Sequence, residues 1–209
     1  MKWEVRTMRS GTSFFNVTVW KKTVLRFWPI WAVGLVFWVL ALPAQGMMAL
    51  QRQLENGGDW LLSFSASVGG LGGDTALSFA VVFGLLAAMA VCSHLYSSRA
   101  ANFMGALPVR REGLFVSHYT AGLSMLLLPN IVVFLLTLLV EALGGAVMWP
   151  PLMFWLTALS GMEFFFYSFA VCIGMFTGHL LALPIFYAVF NALAAALRWL
   201  LDYALLSFY

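Results

Sequence analysis

Five runs of apolar residues, roughly 29–50, 75–95, 113–143, 152–176 and 180–201, dominate this chain of 209 residues. A helix needs about 20 apolar residues to cross the hydrocarbon of a bilayer, so each run reads as a transmembrane helix. The composition agrees: 63% of residues are hydrophobic and 9% charged, too apolar for any water-soluble fold to hide. The expected fold is all-α, a polytopic transmembrane bundle of about five spans forming a single domain over residues 1–209. Two further short helices are expected, one before the first span and one between the second and third. Pro43 and Pro129 sit inside apolar runs and predict kinks.

Residues 1–28 are basic, with Lys2, Arg6, Arg9, Lys21, Lys22 and Arg26 against Glu4. From Ser13 the pattern is helical. Phe14, Val17, Trp20, Val24, Leu25 and Trp28 cover one broad arc, with Asn16, Lys22, Thr23 and Arg26 elsewhere. A basic helix with an aromatic face reads as lying in the membrane–water interface. Pro29 then suits the first position of a new helix, where its missing N–H costs nothing. Residues 51–74 read as a polar, glycine-rich connection, with Trp60-Leu61-Leu62 dipping toward the interface.

The stretch 96–115, YSSRAANFMGALPVRREGLF, is the most basic interruption between two apolar runs. Ala100, Phe103, Met104 and Leu107 fall at i, i+3, i+4 and i+7, one stripe of a short helix, with Arg99 and Asn102 off it. Ser97 or Ser98 can cap its start and Pro108 ends it. Arg110, Arg111 and Glu112 follow. Two readings stand for this stretch: a charged loop that fixes topology, or a handle for a soluble partner.

Charge sets the expected orientation. The N-terminal segment and the 96–115 stretch hold nine of the eleven Lys and Arg residues. By the positive-inside rule both are cytoplasmic, as is the N-terminus. An odd number of spans then puts the C-terminal end outside.

Little in the chain suggests chemistry on its own account. Gly69-Gly70-Leu71-Gly72-Gly73 is glycine-rich, but no Lys-Ser or Lys-Thr follows, so no nucleotide loop is expected. His94, His118 and His179 are scattered near span ends and read as satisfied side chains. Cys92 and Cys172 lack metal-ligand spacing and read as two small buried side chains, not as a disulfide. No cofactor, metal, nucleic acid or catalytic residue is expected, and the chain does not read as an enzyme. Glu163 is different: it falls near the middle of the fourth span, where an ionisable group is costly and normally has a partner. It reads either as a protonated or hydrogen-bonded carboxyl holding two helices together or as a group with a role in transport. Glu141 lies nearer an outer end and is expected to be easier to solvate.

The segment FFNVTVWKKTVLRFWPIWAV, 14–33, resembles the N-terminal helix and first span of bacterial ABC-2 type transporter permeases. The segment LYSSRAANFMGALPVRREGLF, 95–115, is similar to their cytoplasmic loop between spans two and three. The resemblance is carried there by Arg99, Phe103, Leu107-Pro108, Arg111-Glu112 and Leu114-Phe115. It implies a permease subunit of an ABC exporter in the bacterial cytoplasmic membrane. Its partners would be cytoplasmic ATPase subunits, which bind the ATP and Mg, a second permease half, and membrane lipid. Residues Arg99 to Glu112 would be the coupling helix and its basic flank. The family pattern has six spans per half, and five are counted here, so the chain is expected to lack a sixth. The competing reading is a non-transporting polytopic protein, such as an immunity, sensor or assembly factor.

Overall fold

The computed structural model describes residues 15–56, 60–93, 96, 111–145 and 147–206. The described residues form helices and no strands. Five helical stretches are long and apolar enough to cross a membrane: Trp28–Arg52, Trp60–Cys92, Glu112–Leu143, Trp149–Phe176 and Ala182–Leu205. Such a set fits a multi-pass membrane protein.

The first helix, α1, runs Val17–Arg26. Asn16 caps it, its side-chain oxygen accepting from the Thr18 and Val19 N–H groups, which have no partner inside the helix. Helix α2, Trp28–Ala41, starts with Pro29 in its first turn. Helix α3, Pro43–Asn56, continues the same span after a break at Leu42 (φ −116°, ψ −75°). Pro43 has no N–H to give to the preceding turn, so the break falls where the sequence predicts a kink.

The connection expected over 51–74 is shorter than that. Trp60–Gly70 is helical (α4) and runs through a wide turn, Leu71–Thr75, into α5, Ala76–Cys92. The reason is a stripe that the glycines obscure: Trp60, Phe64 and Val68 recur every four residues, and all three are buried. The glycines bend this helix without ending it, and the non-helical residue is Gly73 (φ −93°, ψ −113°). The helix that carries the second apolar run therefore begins well before residue 75.

Helix α6 runs Arg111–Leu143 with Pro129 inside it. At 33 residues it measures about 50 Å, more than the roughly 30 Å of hydrocarbon in a bilayer. Helices α7, Trp149–Phe176, and α8, Ala182–Leu206, complete the chain. Gly145, between α6 and α7, has φ +90°, a conformation that L side chains rarely adopt.

The most intimate helix pair is α5 against α7. Ala76, Ala80, Gly84, Ala88 and Val91 form one buried stripe on α5. A Cβ on Gly84 would stand 3.0 Å from the Tyr167 backbone nitrogen. Small residues allow this approach, as they do where helices associate in lipid by packing alone. One core cluster gathers Trp38, Trp60, Phe64 and Trp155, and a second gathers Val91, Cys92, Tyr167 and Tyr187. Both cysteines are free thiols; Cys92 is buried as expected, but Cys172 is exposed, because its position on α7 faces away from the bundle. Helix α8 joins the bundle at its beginning, through Leu183 and Tyr187, whose hydroxyl donates to the Val81 carbonyl at 3.1 Å. Farther along it is exposed, and Arg198 and Asp202 lie 3.9 Å apart on its surface.

Candidate functional site

Glu163 is 1% exposed, at the middle of α7. Its Oε2 accepts a hydrogen bond from Asn130 Nδ2 at 2.7 Å, and Asn130 is also 1% exposed. Ser160, one turn earlier on α7, places its Oγ 3.4 Å from the same nitrogen, a weaker second contact. Asn130 directly follows Pro129 on α6. Proline lacks the N–H that would close on the carbonyl one turn back, so the Met125 carbonyl loses its ordinary helical donor there. A carboxyl, an amide and a freed carbonyl thus meet at one level of the bundle.

Glu163 and Asn130 also line a small cavity of about 10 Å³, enough for one water. Its remaining wall is mostly carbon from α2 and α5, with Trp31, Trp38, Phe79 and Phe83 prominent. Glu163 Oε1 and Trp38 Nε1 have no hydrogen-bond partner among the described residues. A larger apolar pocket of about 130 Å³ lies between α1, α2 and α6 and shares Trp31, Met125 and Pro129 with the small cavity.

A second group of polar contacts ties α1 to the first half of α6. The Asn16 backbone N–H donates to Ser117 Oγ at 2.7 Å, and the Ser117 hydroxyl in turn donates to the Gly113 carbonyl. Trp20 Nε1 donates to Ser124 Oγ at 3.0 Å. Thr23 Oγ1 lies 3.3 Å from His118 Nδ1, and both residues are buried. The contact to α6 draws on both sides of the arc read from the sequence: Trp20 belongs to it, and Asn16 and Thr23 do not. Val17, Leu25 and Trp28 are exposed, as are Lys21, Lys22 and Arg26, while Asn16 and Thr23, assigned to the other side, join Trp20 in the contact. Hydropathy ranks Thr23 as polar, but its hydroxyl also donates to the Val19 carbonyl, which satisfies it within its own helix.

Glu141 differs from its expectation as well. It is fully buried, and its Oε2 accepts from the Met148 N–H at 3.1 Å, just before α7 begins. The turn at Gly144–Gly145 brings Met148 back over the carboxylate. Trp60 packs so closely on Gly144 that no Cβ fits there.

The remaining residues proposed from the sequence divide in two. Arg99, Phe103, Met104, Leu107, Pro108 and Arg110 lie outside the described residues, as do Phe14 and His94. Arg111 begins α6, and Glu112 is exposed in its first turn. The sequence reading passes over Asn130. The signal for it is its position in a long apolar run, where an amide needs a partner as a carboxyl does. Among the described residues no three His, Cys, Asp or Glu side chains gather as a metal site. No family model, curated protein or solved structure matches the chain.

Proposed function

We propose that the chain is the membrane-spanning permease subunit of an ABC exporter of the ABC-2 kind, driven by ATP hydrolysed on a separate subunit. The observation that carries this reading is the strapping of α1 onto the first half of α6 through Asn16, Trp20 and Thr23. Helix α6 emerges directly from the basic stretch that resembles a coupling helix. A partner pressing on that stretch would move α1 and the start of α6 as one body. The motion would reach Pro129, where a helix bends most easily, and then Glu163 on α7 through Asn130. In this scheme the N-terminus and the 96–115 stretch are cytoplasmic, a second permease half completes the pathway, and the membrane is the bacterial cytoplasmic one.

Affinity purification from native membranes in mild detergent tests the reading. An ATPase subunit should co-purify and show nucleotide hydrolysis that responds to this chain. Purification of the intact bundle with no ATPase, under conditions that preserve a known exporter, would favour the non-transporting alternative.

A further inference from the structure

We propose that Glu163 is a proton-binding site: a neutral carboxylic acid held by Asn130 and by one water shared with Trp38. The inference stands apart from the transport reading, since it rests on atoms inside the bundle. Two buried polar atoms without partners belong to residues that line one cavity. Glu163 Oε1 is an oxygen with no partner among the described residues, Trp38 Nε1 is a donor with none, and the cavity between them is about 10 Å³. That volume holds one water, and a buried water needs two to four polar partners. Here it finds them. It accepts from Trp38 Nε1–H and from the Glu163 acid O–H; Met125, whose carbonyl Pro129 leaves without a helical donor, lines the same cavity. Asn130 Nδ2–H is already committed to the other oxygen, Oε2, at 2.7 Å.

The charge balance decides between a proton and a metal cation. An ionised carboxylate buried this deeply needs a compensating positive charge. No Lys, Arg, His or second carboxyl lines the cavity: α2 and α5 offer it mostly aromatic and aliphatic carbon, and α6 offers Asn130 as its one polar side chain. A metal ion would demand a full shell of oxygens, which this wall does not supply. A proton needs only the carboxyl itself. In the acid form Oε1 carries a proton to donate, while Oε2 keeps the bond from Asn130.

Infrared difference spectra of the purified protein in lipid nanodiscs at neutral pH test this. Subtracting Glu163→Gln from the parent should show loss of one carboxylic-acid carbonyl band. The amide introduced by this substitution keeps an oxygen for Asn130, so that variant should stay folded. In Trp38→Phe the acid band should persist but shift, because the water loses a donor. If Glu163→Gln instead removes carboxylate bands, the site holds an ion and the proposal fails. An acid band unmoved in Trp38→Phe overturns the shared water. If Trp38→Phe does not fold, a high-resolution experimental map decides: one ordered water within reach of Trp38 Nε1 and Glu163 Oε1 supports the proposal, and its absence overturns it.

Discussion

Asn130 Nδ2 and Glu163 Oε2 stand 2.7 Å apart in a site closed to solvent, and they join α6 to α7 one residue after Pro129. The bond places a carboxyl at mid-span against the most deformable point of the longest helix. Asn130→Ala would leave the carboxyl without its donor, at a cost of about 1–3 kcal/mol. Thermal unfolding in detergent should show the loss. Glu163→Gln should remain near the parent, because its oxygen still accepts from Asn130. Equal stability of Asn130→Ala and parent would mean that the bond contributes nothing.

Tyr167 and Gly122 make a second test of α6 against α7. A Cβ on Gly122 would run into the Tyr167 ring and hydroxyl, which donates to the Tyr119 carbonyl at 2.9 Å. Gly122→Ala should therefore destabilise by roughly 1–3 kcal/mol, the usual cost of overpacking a core. Adding Tyr167→Phe removes the nearest clashing atom and should recover part of that loss. Additive losses in the double variant, measured by unfolding, would show that the two sites do not touch.

Trp20 is the main polar anchor of α1 on α6, through Ser124. Trp20→Phe keeps most of the ring and removes the donor, so about 1 kcal/mol should be lost locally. Hydrogen exchange should then quicken over Val17–Arg26 while Trp149–Phe176 is unchanged. Uniform quickening across both helices would mean that α1 is not a separately anchored element.

Glu141 holds the entry to α7 by accepting from the Met148 N–H. Glu141→Gln should be tolerated, since an amide oxygen accepts the same bond. Glu141→Leu should cost about 1–3 kcal/mol by leaving that N–H without an acceptor. Identical melting of the two variants would show the carboxylate to be a bystander.

The proposed coupling role rests on Phe103. Buried aromatic anchors dominate protein interfaces, and truncating one often costs roughly 2 kcal/mol or more. Phe103→Ala should leave membrane insertion intact and weaken ATPase co-purification and transport together. Arg111→Ala should do so mildly and in a salt-dependent way. If the ATPase stays bound and coupled in Phe103→Ala, the stretch is a topology anchor. Orientation is checked in a background with Cys92 and Cys172 replaced: cysteines at Ser98 and Asn56 should label from opposite sides.

Long apolar runs determined that the chain is helical and has five helices able to span a membrane, because the bilayer sets a length and a hydropathy that a sequence displays directly. The same argument marked Glu163 as a carboxyl in need of a partner. Which partner it takes was not legible. Hydropathy places a residue in depth along a helix, but the rotation of one helix against another comes from packing, here from the small residues that bring α5 onto α7. Such rotations aimed the Asn130 amide at the Glu163 carboxyl, with Ser160 as its weaker second contact. They also turned Thr23 toward His118, while the turn after α6 folded Met148 over Glu141, making two polar side chains part of the interior. The glycines of 69–73 concealed the helix beginning at Trp60 for a related reason: local propensity argues against a helix there, and contacts of Trp60, Phe64 and Val68 with the core outweigh it.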